Sequence, residues 1–248
     1  MSLGNSNEKS DGPLQTASTG GKPASEENLQ RLDRLANLGM LSAGMAHEIK
    51  NGMVAIKTFV ELLAQKGEDR ELVEVVAREL KRIDSIVSQM LRFATPRPAA
   101  FNTVRVHGVI DHSLRLLQHQ TSGKLITIKC DYKAVPDTVH GDDAQLQQAL
   151  MNFLLNAIEA MGSNGELTVK TEIVEGGFLR IQISDTGTGV SPENLKRLFE
   201  PFFTTKKNGT GLGLAICQRI ALEHRGAIEV QSEVNKGSTF AIALPLAK

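Results

Sequence analysis

The sequence predicts a chain of two kinds of structure. A long helical hairpin that pairs with a second copy into a four-helix bundle precedes an α+β domain with helices on a mostly antiparallel sheet. Three observations predict it. A proline-free, helix-forming stretch from Glu26 to about Gln65 leads into a second run whose apolar residues recur every three or four positions. Thr95-Pro96-Arg97-Pro98 stops that pattern. Beyond it, short alternating runs and Gly-containing turns interleave with helical periodicity to the end of the chain.

Taken in order, residues 1–25 are rich in Ser, Gly, Asn and Thr and nearly free of large apolar side chains, so they are expected to be a disordered leader or linker. Residues 26–95 form the hairpin, with Gly67 between its helices as a C-cap or tight turn. Leu72, Val75, Val76, Leu80, Ile83, Val87, Met90 and Leu91 make one apolar stripe on the second helix. A lone hairpin leaves such stripes half covered, which predicts a homodimer; the alternative is that they pack on the chain's own second half. Residues 96–100 are a Pro-rich hinge.

The second domain spans 101–248. Thr103–Val106 is β-prone, Val109–Leu117 helical, Leu125–Cys130 a strand and Asp142–Met161 a strongly patterned helix. Leu167–Ile173 and Leu179–Ser184 pair around Glu175-Gly176-Gly177. A Gly-rich polar stretch, a helix to about His224 and the strands Ala227–Ser232 and Thr239–Leu244 complete it.

Composition narrows the function. With 41% hydrophobic and 23% charged residues the chain can form a packed core. It balances 28 basic against 28 acidic residues and has one Tyr and no Trp, so it lacks the charge and the stacking platforms of a nucleic-acid binder. Cys130 and Cys217 lie far apart and read as reduced thiols, and the histidines at 107, 112, 119, 140 and 224 show no ligand spacing. No run approaches the ~20 apolar residues of a membrane span and no signal peptide is recognisable. A cytoplasmic location is expected, with any sensory or membrane-spanning region of a longer parent lying outside this chain.

Four segments carry chemistry: Asn152-Phe-Leu-Leu-Asn156-Ala-Ile-Glu-Ala on a helix, Asp185-Thr-Gly187-Thr-Gly189 after a strand, Phe199-Glu-Pro-Phe202-Phe203, and Gly209-Thr210-Gly211-Leu212-Gly213 opening the next helix. Asn152 and Asn156 share a helix face, and amide oxygens suit Mg²⁺ that also holds phosphates and water. An aspartate at a strand end can accept a hydrogen bond from an exocyclic amine such as adenine's. Gly187 and Gly189 let the backbone run close to a base or ribose. Backbone N–H groups around Gly209, Thr210, Gly211, Leu212 and Gly213 form an anion site at a helix N-terminus. The stretch from Val190 to Asn208 is long for a structureless connection and is expected to be a mobile lid. No P-loop pattern is present.

These segments resemble the N, G and phenylalanine boxes of the ATP-binding domain shared by histidine kinases, gyrase-type ATPases and Hsp90. Gly44-Met-Ala-His47-Glu48-Ile-Lys-Asn51 resembles the phosphoacceptor motif of sensor histidine kinases, and the wording is nearest the nitrogen-regulation and PAS-linked type. The resemblance implies an α/β sandwich of the Bergerat (GHKL) kind that binds ATP and Mg²⁺. It implies Asn156 as metal ligand assisted by Asn152, Asp185 on the adenine amine, and Gly187 and Gly189 flanking the base. Gly211 and Gly213 shape the phosphate end of the lid. Lys206 or Lys207 reaches the terminal phosphate, although many relatives place a basic residue where Thr204 stands. The gyrase and Hsp90 branches carry a glutamate one turn before the metal-binding Asn; here Asn152 stands there and cannot activate water. His47 is then the phosphoryl acceptor, with Glu48 as proton acceptor. Asn51, one turn along, is implied in dephosphorylating a response regulator's receiver domain, the expected partner beside the homodimer. Gly52 replaces the proline of many relatives and predicts a pliable point. The competing readings are a phosphatase or docking scaffold and an ATPase driving mechanical work.

Overall fold

The computed structural model describes residues 99–206 and 209–247, Thr16–Ser18, and, between 49 and 88, residues 49, 53–54, 56–58, 60–62, 73–78, 80–81, 83–84 and 87–88. His47, Glu48, Asn51, Gly52, Gly67, Lys207 and the hinge prolines lie outside the described residues. Of the expected hairpin, the described positions between 49 and 88 are all helical. Val60, Leu80 and Val87 are buried, whereas Val54, Ile56, Leu62 and Val75 are exposed.

The second domain folds as its alternation demands. Strand β1 is Thr16–Ser18; β2 (Asn102–Arg105) and β4 (Thr138–Gly141) form a small antiparallel pair. The main sheet also contains β3 (Leu125–Tyr132), β5 (Asn164–Val174), β6 (Phe178–Asp185), β7 (Ala227–Glu233) and β8 (Gly237–Pro245), in the order β1-β7-β8-β6-β5-β3. Only β3 and β5 run parallel. The helices are α1 (Val106–Leu116), α2 (Gln118–Thr121), α3 (Asp143–Met161), α4 (Pro192–Leu195) and α5 (Gly213–Glu223).

Strict alternation aims Leu179, Ile181, Ile183 and Asp185 of β6 to one face, where the apolar three join Leu167, Val169, Ile228, Val230, Phe240 and Ile242 in a single core. On the other side of that core lies α3, with Leu146, Leu150, Phe153, Leu154, Ala157 and Ile158 as its buried stripe. Asp142 caps α3, its carboxylate accepting from the Gln145 N–H at 2.9 Å. The same carboxylate accepts from the Ala100 N–H at 2.7 Å, which fastens the chain there to the start of α3.

Two expectations change. The leader contributes an element: Thr16, Ala17 and Ser18 pair with Gln231, Val230 and Glu229 at the edge of the sheet. Ladder hydrogen bonds need only backbone, so a small polar tripeptide without apolar alternation can supply them. Within the stretch expected as a lid, the described residues 190–206 also include a short helix. Ser191 caps α4 with Pro192 in its first turn, and Leu195 and Phe199 are buried in the core.

Candidate functional site

A cavity of about 610 Å³ opens between α3, the end of β6, the start of α5 and the segment 198–211. That volume suits a nucleotide-sized ligand. Its lining includes Asn152, Asn156, Asp185, Gly189, Lys206, Thr210, Gly211 and Gly213, so the structure gathers residues from three of the four segments, and Phe203 brings in the remaining one.

Asp185 ends β6 and is 7% exposed. Its Oδ1 accepts from the Gly187 N–H at 2.8 Å. Burial pushes its carboxyl above the usual carboxylate range, against the pull of the Gly187 and Ser238 backbone N–H groups. Those donors fix the carboxyl on the cavity wall beside Ser238 and Phe240.

The two glycines that follow are demanded by the protein's own packing, whatever they also do for a ligand. A Cβ on Gly187 would lie 2.6 Å from the Ala160 carbonyl carbon in α3. Gly189 has φ 66°, and a Cβ there would meet the Glu233 carbonyl oxygen at 2.0 Å. Both let the loop press against neighbouring backbone; Gly189 alone of the two also lines the cavity.

On α3, the Asn152 amide nitrogen donates to the Gly213 carbonyl at 3.1 Å, joining α3 to the start of α5. One turn on, Asn156 Oδ1 accepts from the Lys206 ammonium at 2.6 Å. Glu159 holds the same ammonium in an ion pair. Glu159 belongs to the same helical segment but was given no role from sequence, although its place three residues beyond Asn156 puts it on the same face. Two oxygen donors from α3 thus already converge on a cation, and that donor set fits a hard divalent ion.

Opposite Asp185, α5 begins at Gly213 with no side-chain cap and no acidic residue in its first turn. Gly213 and Leu214 line the cavity, so the positive end of this helix borders it. The Leu212 side chain is fully buried in the core, and its N–H donates to Thr210 Oγ1 at 3.4 Å. Along the lid, Phe203 faces the cavity with the Arg197 guanidinium 4.4 Å from its ring centre, while the Phe202 N–H donates to the Gly211 carbonyl at 3.0 Å. Cys217 is fully buried and burial pushes its thiol up to about 12, which leaves it inert.

Comparison with known proteins matches this arrangement. Residues 141–248 fit the family model "Histidine kinase-, DNA gyrase B-, and HSP90-like ATPase", and residues 37–98 fit the "His Kinase A (phospho-acceptor) domain". The sensor histidine kinase ZraS of Salmonella typhimurium (strain LT2) is 38% identical over 224 residues, which cover 88% of this chain and 48% of that protein. The chain thus spans about half the length of that relative. The full-length ShkA structure in complex with AMPPNP superposes with a TM-score of 0.71 at 27% identity, covering 84% of this chain and 46% of that one. The histidine kinase ThkA in complex with the response regulator TrrA gives 0.65 at 27% identity, covering 90% of this chain and 66% of that one. Among the described residues no helix is long and apolar enough to cross a membrane.

Proposed function

The chain belongs to the histidine kinase family, and from that premise we propose that it is an ATP-dependent protein-histidine kinase acting on His47 and then on a response-regulator aspartate. The observation that carries this is that one cavity is lined by both a buried carboxylate and an uncapped helix N-terminus. The Asp185 carboxylate accepts the adenine amine, and Leu155, Val190, Leu214 and Phe240 cover the ring. The start of α5 receives the phosphates. Asn156 holds Mg²⁺ with Asn152 beside it; when bound, that ion neutralises phosphate charge.

His47 lies within the phospho-acceptor match, residues 37–98. A neutral ring nitrogen attacks the γ-phosphorus, the bond to the β–γ bridging oxygen breaks, ADP leaves, and Glu48 takes the ring proton. The receiver carboxylate then takes the phosphoryl group from the imidazole. Two copies of the chain pair through the hairpin, in keeping with Val54, Ile56, Leu62 and Val75, which are between 45% and 61% exposed. Asn51 turns the same hairpin into a receiver phosphatase, a role that predicts loss of receiver dephosphorylation in Asn51→Ala with autophosphorylation retained.

Incubation with γ-labelled ATP tests the proposal. The label should be acid-labile and base-stable, and absent from His47→Gln. An acid-stable label, or one that survives the substitution, would overturn it.

A further inference from the structure

The contact between Lys206 and α3 has a consequence for how the site takes up its metal. Asn156 Oδ1 lies 2.6 Å from the Lys206 ammonium, and the Glu159 carboxylate completes the hold. Mg²⁺ demands ligand oxygens at ~2.0–2.1 Å. An ammonium and a divalent ion cannot both occupy the same oxygen at such range, since each would repel the other and crowd its shell.

We infer that Lys206 is a cation placeholder: in the nucleotide-free protein it pins the lid to Asn156 and Glu159, and a metal–nucleotide complex enters by exchanging one cation for the other. The inference rests on the reading of the cavity as a magnesium–nucleotide site. Glu159 is a positioning residue in this exchange, because it holds the lysine rather than touching the phosphoryl group. Release of the lysine frees the lid from α3 and leaves the ammonium beside the newly arrived phosphates. The device links three facts that otherwise stand apart: a metal-binding amide already engaged, an acidic residue one turn beyond it, and a lysine carried on the lid. Lys206 is 42% exposed and Glu159 56%, so the hold is modest enough to be reversed by binding.

The test is calorimetric titration of AMPPNP into the intact chain, from chelated to saturating magnesium, for wild type, Lys206→Met and Lys206→Arg. Amide hydrogen exchange of the lid is followed in the nucleotide-free proteins, with Glu159→Gln added. Lys206→Met should lower the magnesium concentration for half-maximal affinity by about two- to fivefold, the size expected of a half-exposed ion pair. Lys206→Arg should restore the wild-type midpoint. Lid amides from Phe203 to Gly211 should exchange faster in both Lys206→Met and Glu159→Gln. The inference is overturned if Lys206→Met weakens AMPPNP by one factor at every magnesium level, which marks a plain phosphate contact, or if lid exchange is unchanged. Absence of AMPPNP binding by wild type at all magnesium levels would instead remove the nucleotide site itself.

Discussion

The cavity has two walls built in opposite ways. On one side, α3 and β6 hold Asn156 and Asp185 on elements anchored in the core: Phe153, Leu154, Ala157, Ile158 and Ile183 are each no more than 3% exposed. On the other, the described lid residues, 202–206 and 209–211, include neither helix nor strand and are held by local turns, the Arg197–Phe203 contact and the Lys206 tie. The difference teaches a division of labour. On the proposed function, the Asp185 acceptor and the Asn156 amide sit on the wall that cannot move without unfolding, whereas Lys206 sits where rearrangement is cheap.

The largest effect should come from breaking the rigid wall. Leu154→Ala removes a side chain 1% exposed beneath the two asparagines, and should destabilise the domain by about 2–5 kcal/mol in a denaturant melt. A loss under about 1 kcal/mol would show that this wall is as loosely supported as the lid.

Next in size is Asp185→Asn, which sharpens the comparison by separating recognition from support. Losing a charged acceptor should weaken adenine nucleotides by about 10- to 100-fold. The ligand-free melting temperature should stay within about 5 °C, because burial already opposes the ionised carboxyl. A large fall in melting temperature would make Asp185 a structural residue.

The same carboxyl sets a pH signature. Its pKa in the fold is raised above the ordinary value of 3.8, so the folded state binds that proton more tightly than the unfolded chain. Its contribution to stability is therefore full below the ordinary value and is lost as pH rises through the folded one. Nucleotide affinity should move the other way, falling as pH drops through the raised value and the acceptor loses its charge. Titration of affinity against pH checks this: wild type should lose affinity at a higher pH than an ordinary aspartate titrates, and Asp185→Asn should show no such step.

The smallest effect belongs to the lid. Arg197→Ala removes the cation over Phe203, worth about 0.5–1 kcal/mol at an exposed site, and should change nucleotide affinity less than about fivefold by calorimetry. A loss as large as that of Asp185→Asn would erase the distinction between the walls.

The rigid wall was the more legible in sequence, for a physical reason. The stripe of α3 and the alternation of β6 are long patterns imposed by one core, so Asp142–Met161 and Leu179–Ser184 are found within a few residues of their observed bounds. Asn156 and Asp185 are then placed by the elements that carry them. Short elements escaped: β4 offers one buried apolar side chain, Val139, and β1 is only three residues long. Ser191-Pro192 did announce α4, but four residues are too few to show a period. Gly187 and Leu212 sit inside motifs that look like ligand contacts, and packing against Ala160 and burial in the core add a demand that the motif alone does not reveal. Glu159 was missed because a charged residue on an outer helix face looks solvated until a lysine some 47 residues away in sequence is brought to it.

The central claim, that one cleft holds nucleotide by a fixed wall and a separable lid, is tested most directly by amide NMR of the intact chain titrated with ADP and magnesium. The account predicts large shifts at Gly187, Gly189, Gly213 and the lid, with β3 amides unmoved. Shifts confined to β3, or no shift at any of these amides with magnesium in excess, would contradict it.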